Sequence, residues 1–179
     1  MNIPNTISFI RILLIPLFCF KFLNAQTMHD FLISAFILAL SGISDMLDGY
    51  IARKYNMITQ IGRILDPVAD KLTLFAVCIC FWVRNPHLWF LFGFLMIKDI
   101  LIMIGSAILM SNKVTLDGSR WFGKLYTVCF YVIMLAMIIF SNMPHLVQIL
   151  LMSILVLLTV SCFAMYVPVF IKLKNEKAK

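Results

Sequence analysis

The sequence predicts an all-α integral membrane protein: six transmembrane helices after a short N-terminal juxtamembrane segment, with both termini cytoplasmic. Three observations carry that expectation. Of the 179 residues, 63% are hydrophobic and the mean hydropathy is +1.00, whereas a soluble domain is about 45–50% apolar. Apolar stretches of about 20 residues, the length that crosses a bilayer, recur roughly at 8–25, 31–52, 64–83, 88–111, 121–141 and 147–171. The basic residues are concentrated on alternate connections, as the positive-inside bias requires.

Along the chain, Pro4, Asn5 and Thr6 read as a turn and cap before the first span. That span lacks a basic leader, is interrupted by Arg11 and has Leu23 where a cleavage site needs a small residue, so it reads as a helix and not a signal peptide. Arg11 either snorkels to the cytoplasmic headgroups or contacts a substrate phosphate. The second and third spans are joined by a short loop, which makes them antiparallel neighbours. Pro67 is tolerable in the third if that helix starts close before it. Arg53, Lys54 and Arg63, then Lys113, Arg120 and Lys124, then Lys172, Lys174, Lys177 and Lys179 mark the cytoplasmic face. The opposite connections carry little beyond Lys21 and Arg84, with His29, His87 and His145 as interfacial loop residues.

Nothing divides the chain, so residues 1–179 read as a single domain. The net charge of +7 sits largely at membrane edges. That suits anionic lipid headgroups better than nucleic acid, which needs a long basic face. Cys19, Cys78, Cys80, Cys129 and Cys162 lie inside apolar runs, without metal-ligand spacing, and read as small packing residues.

The chemistry is concentrated in Ser44-Asp-Met-Leu-Asp-Gly-Tyr-Ile-Ala-Arg-Lys and Ile61-Gly-Arg-Ile-Leu-Asp-Pro-Val-Ala-Asp-Lys. On helices, Asp45, Asp48, Gly49 and Ala52 share one face, and Gly62, Asp66 and Asp70 share another. Asp45 and Asp70 each lie about 12 Å from the connecting loop by helical rise, so the four acids can converge at similar depth. Two carboxylates about 6 Å apart repel by roughly 3 kcal/mol even at an effective dielectric of 20. Such a cluster takes up protons or binds cations, and hard oxygen donors favour Mg²⁺ or Mn²⁺. Two divalent cations would balance four carboxylates and form a clamp for phosphoryl chemistry. The small side chains of Gly49 and Ala52 leave a concavity for a ligand or for a neighbouring helix. Arg53 is well placed to bind a phosphate oxygen.

The pattern D-x-x-D-G-x-x-A-R, eight residues, then G-x-x-x-D-x-x-x-D resembles the signature of the CDP-alcohol phosphotransferase family. It is met without departure at Asp45, Asp48, Gly49, Ala52, Arg53, Gly62, Asp66 and Asp70. The resemblance implies a six-helix bundle, usually a homodimer, with an active site open to the cytosol and the bilayer. It further implies that Asp45, Asp48, Asp66 and Asp70 bind two divalent cations, that Asp70 is the general base, and that Asp48, Gly49, Ala52, Arg53 and Gly62 line the CDP site. The substrates it implies are CDP-diacylglycerol and an alcohol.

Within the family, Asn2-Ile-Pro-Asn-Thr and Arg11-Ile-Leu-Leu-Ile-Pro resemble members that use glycerol 3-phosphate, and also the cardiolipin synthases, which use phosphatidylglycerol. Both acceptors carry a phosphate, for which Arg11, Arg120 and Lys124 are the candidates, or else plain cytoplasmic anchors. Departures from the glycerol 3-phosphate pattern stand at Tyr126 and Phe130 in the fifth span. Another is Lys98-Asp99 in the fourth, two side chains that need not pair with each other and are expected to find a partner on another helix in preference to a direct substrate contact. Glycerol 3-phosphate is the favoured acceptor and phosphatidylglycerol the alternative. A divalent-cation transporter is the rival of a different class, weakened because the acids lie toward one face and no internal repeat is visible.

Overall fold

The computed structural model describes residues 3–55, 60–111 and 121–176; the side chains of 3–5, 48, 49, 52, 53, 60–67, 103, 105–111, 121, 122, 124 and 166–176 lie outside the description. The described residues form six helices: α1 (Ile3–Leu23), α2 (Met28–Lys54), α3 (Gln60–Arg84), α4 (Trp89–Ser111), α5 (Trp121–Ile139) and α6 (His145–Glu176). A short 3-10 turn, Pro86–Leu88, links α3 to α4. Among the described residues, three stretches are long and apolar enough to cross a membrane: Thr6–Leu23, Met28–Leu47 and His145–Met165. Leu125–Ile139 is apolar but shorter. Such uniformly apolar helices suit lipid, where every backbone group must be satisfied within the helix.

Two boundaries differ from the expectation. The turn and cap expected at Pro4–Thr6 is instead helix, because α1 begins at Ile3. Pro4 then stands in the first turn, where a missing N–H costs nothing. Pro67 is not near a helix start either: α3 begins at Gln60, seven residues earlier. A proline there cannot donate to the carbonyl of residue 63, a defect that membrane helices tolerate when neighbouring groups compensate.

The chain divides into two compact units, Met1–His87 with Met134–Met143, and Leu88–Ile133 with Pro144–Lys179. In the first, α1 packs extensively on both α2 and α3. A direct α2–α3 seam, expected from the short loop, is not the main contact among the described residues; α1 ties the two acid-bearing helices together. The reason lies in side-chain spacing. Ser8, Arg11, Phe18 and Phe22 are buried on α1, and Ser34, Leu38 and Ser41 on α2. Ala69, Thr73, Val77 and Phe81 are buried on α3. Each set repeats at three, four or seven residues, a single helical stripe. The serines and alanine are small enough to let the backbones approach.

The stripes converge at the non-loop end on Phe22, whose ring lies 4.7 Å from Phe81, 5.4 Å from Phe18 and 6.2 Å from Phe31. Arg84 closes the same end. Its Nη1 donates to the carbonyls of Phe22 (2.7 Å) and Ala25 (2.9 Å), and its guanidinium lies 4.7 Å from the Phe31 ring. A cation at a helix C-terminus satisfies carbonyls that lack intrahelical donors. Arg84→Met is therefore expected to cost roughly 2 kcal/mol from two charge-assisted bonds, read as a lower unfolding midpoint in detergent with catalysis retained in the folded fraction. At the start of α2, Thr27 accepts from the Asp30 amide while Asp30 accepts from the Thr27 amide at 3.0 Å, a reciprocal cap.

In the second unit, α4 packs on α6. Gln148, Met152, Leu155, Thr159 and Cys162 form the buried stripe of α6; Phe92, Leu95 and Lys98 form that of α4, continued by Leu88 of the preceding 3-10 turn. Lys98 and Asp99, which need not pair by helix geometry, do pair with each other. Lys98 Nζ lies 2.8 Å from Asp99 Oδ1, both side chains 5% exposed. Adjacent side chains on a helix diverge, but the long lysine stem bends back to reach its neighbour. The cross-helix partner is an aromatic face: Nζ sits 3.6 Å from the centre of the Tyr126 ring on α5. The departures seen in the fourth and fifth spans thus touch each other. None of the five cysteines is in a disulfide, and Cys78, Cys80 and Cys162 are buried; His29, His87 and His145 stand exposed at helix starts and connections.

Candidate active site

The acid motif is carried by the last three turns of α2 and the first three of α3. Asp45, Asp48, Gly49, Ala52 and Arg53 lie in α2, and Gly62, Asp66 and Asp70 in α3. Asp45 stands nine residues before Lys54 and Asp70 ten residues after Gln60, which puts them about 14 and 15 Å from the loop ends of their helices.

The buried stripes bring Asp45 and Asp70 toward one axis. One turn deeper than both is a small cavity where the three helices meet, lined by Leu14, Ile15 and Phe18 of α1, Ile37, Leu38 and Ser41 of α2, and Thr73, Ala76 and Val77 of α3. Asp45 is one helical turn from Ser41, Asp70 one turn from Thr73, and Arg11 one turn from Ile15. All three polar groups therefore sit on the loop side of the same seam, and each continues the buried stripe of its own helix.

Arg11 makes the decisive contact. Its Nη1 donates to Asp45 Oδ1 at 2.6 Å, with the Arg11 side chain 0% and the Asp45 side chain 31% exposed. Arg11 does not snorkel outward. A buried cation at this depth calls for an acid at its own level, and Asp45 supplies one. Asp70, 20% exposed, has Lys71 Nζ 3.8 Å from its Oδ2, a separation at which the pair attracts without a hydrogen bond.

Asp45 and Asp70 are thus partly exposed carboxylates beside a sealed interior, and their oxygens are the hard donors that Mg²⁺ or Mn²⁺ prefers. Among the described residues no group of three or more candidate ligands comes together; the side chains of Asp48 and Asp66, which the expected ligand set needs, lie outside the description. The same holds for the side chains of Ala52, Arg53 and Lys124, and Arg120 lies wholly outside it.

What sequence reasoning missed is Arg11 as the partner of Asp45. The signal was present: Arg11 stands eight residues into α1, about 12 Å along it, close to the depth of Asp45. An intramembrane cation calls for an acid at its own level.

The model of one protein family, CDP-alcohol phosphatidyltransferase, matches residues 1–171. Among curated proteins, the CDP-diacylglycerol--glycerol-3-phosphate 3-phosphatidyltransferase of Aquifex aeolicus is 35% identical over 133 residues, 72% of this chain and 70% of that protein. The protein of the same name from Pseudomonas fluorescens is 33% identical over 126 residues, covering 70% of this chain and 58% of its own length. That from Rickettsia bellii is 42% identical over 79 residues, covering 44% and 42%.

Proposed function

This chain belongs to the CDP-alcohol phosphatidyltransferase family, and from that premise we propose that it transfers the phosphatidyl group of CDP-diacylglycerol to glycerol 3-phosphate, giving phosphatidylglycerophosphate and CMP. The observation that carries the reading is the intact eight-position motif, joined to relatives whose shared name specifies that donor and acceptor. The Tyr126 departure is accounted for inside the second unit, where the ring takes up Lys98.

In this reading Asp45, Asp48, Asp66 and Asp70 hold two divalent cations, Mg²⁺ or Mn²⁺. When bound, the cations would clamp the pyrophosphate and polarise its lipid-side phosphorus. Gly49, Ala52 and Gly62 keep the adjoining helix surfaces low enough for the nucleotide to approach. Arg53 would donate to a phosphate oxygen, and Asp48 would serve both the cation and the nucleotide. Asp70 takes the proton of the acceptor hydroxyl. That oxygen forms a bond to the lipid-side phosphorus while the bond from phosphorus to the oxygen of CMP breaks, and CMP leaves with the electron pair. Arg53 stabilises the charge that develops on it. Arg120 and Lys124 bind the acceptor phosphate, whereas Arg11 is engaged with Asp45. All six helices span the membrane with the site on the cytosolic side, so the diacylglycerol tails stay in lipid, and the enzyme works as a homodimer.

The test is CMP release by purified protein in mixed micelles with CDP-diacylglycerol and Mg²⁺ or Mn²⁺, supplying glycerol 3-phosphate or phosphatidylglycerol separately. Release with glycerol 3-phosphate alone is expected; release only with phosphatidylglycerol would reassign the acceptor. Arg120→Ala should raise the KM for glycerol 3-phosphate roughly tenfold, the worth of one phosphate contact. The KM for CDP-diacylglycerol should hardly move. Equal effects on the two substrates would remove Arg120 from the acceptor site.

A further inference from the structure

We propose that Arg11 is a positioning residue for Asp45, holding one carboxylate oxygen so that the other is presented to a divalent cation in a fixed direction. The inference rests on the reading of Asp45 as a cation ligand.

The two ends of the contact are unequal. Arg11 is fully enclosed, while Asp45 is 31% exposed. One oxygen of the carboxylate is therefore gripped from inside the bundle, while the side chain as a whole stays partly exposed. The grip is rigid because Arg11 lies on the α1 stripe between buried Ser8 and Phe18, and α1 packs on both acid-bearing helices. The terminal torsion of an aspartate is otherwise broad and two-fold, whereas Mg²⁺ demands near-ideal octahedral geometry. Partners that orient metal-binding side chains typically account for 10–100-fold in metal affinity or activity.

A second effect has the opposite sign. A buried cation beside the site repels the metal, so a purely electrostatic Arg11 would weaken metal binding and its removal would strengthen it. Orientation is favoured because the 2.6 Å contact engages a single oxygen of Asp45, and the sign of the change separates the two effects.

The experiment measures Mn²⁺ affinity of the full-length protein in detergent by electron paramagnetic resonance, without substrate. The proteins compared are wild type, Arg11→Lys, Arg11→Met, Asp45→Asn and each Arg11 variant combined with Asp45→Asn. Arg11→Met is expected to weaken Mn²⁺ binding 10–100-fold and Arg11→Lys roughly threefold, because lysine keeps the charge but not the fork. Neither should add to the loss already produced by Asp45→Asn. Mn²⁺ binding by Arg11→Met as tight as wild type, or tighter, overturns the proposal, as does an equal loss in both backgrounds. Should Arg11→Met fail to fold, the Arg11→Lys pair decides alone: its loss must vanish in the Asp45→Asn background, and a loss that persists, or none at all, overturns the proposal. If wild type and Asp45→Asn bind Mn²⁺ equally well, it is the assignment of Asp45 as a ligand that fails, and the role of Arg11 fails with it.

Discussion

Asp70→Asn is expected to lower CMP release by at least about a thousandfold while CMP binding changes no more than a few-fold. A positioned general base contributes typically 10²–10⁴ in rate, and asparagine, with nearly the same shape, cannot accept the proton of the attacking hydroxyl. The substitution is gentle on the fold, because asparagine is nearly isosteric with aspartate and the side chain is partly exposed. Two roles are proposed for Asp70, and they separate under one manipulation. If it served only as a cation ligand, raising Mn²⁺ would restore turnover to Asp70→Asn. If it is the base, saturating Mn²⁺ restores cation binding and leaves the rate low. Turnover within tenfold of wild type at high Mn²⁺ would take the role of base away from Asp70.

The acid motif was legible because its chemistry constrains residue type and spacing together: carboxylates at helical intervals are costly in lipid and have little structural use. The helices were legible for a simpler reason, since an apolar run of about 20 residues has few alternatives in a bilayer. What was not legible is which face of each helix meets which neighbour. In α1, exposed Leu13, Leu17 and Phe20 are as apolar as buried Phe18 and Phe22, so hydrophobicity carries no facing information. The central place of α1 follows instead from Ser8 and Arg11, the polar residues that lipid would not accept on its side. Arg84 reads in sequence as an isolated charge at a membrane edge, and only the fold shows that it closes the carbonyl end of α1. Pro67 left the start of α3 open for a related reason: the proline rule places a helix start nearby, but the helix runs through it.

The largest loss of stability is expected in the second unit, where Lys98 and Asp99 are paired at 2.8 Å with side chains 5% exposed. Removing one member of a buried ion pair leaves the other charge uncompensated and costs about 3–5 kcal/mol, whereas replacing both by apolar groups of similar volume is often neutral. Lys98→Met and Asp99→Leu are therefore each expected to lower the unfolding midpoint in detergent sharply, and the double variant to recover most of the loss. The Tyr126 ring lies 3.6 Å from Nζ. In Asp99→Leu the ammonium retains a cation–π contact worth up to about 2 kcal/mol when desolvated, and adding Tyr126→Leu to Asp99→Leu should deepen the loss by about that amount. Single losses below about 1 kcal/mol would mean that water reaches the pair. Activity of the refolded double variant then decides what the pair is for. Retained turnover assigns Lys98, Asp99 and Tyr126 to the packing of α4 against α5. A stable double variant with a raised KM for glycerol 3-phosphate alone would instead make Lys98 an acceptor-binding cation, and Tyr126 the residue that holds it in place.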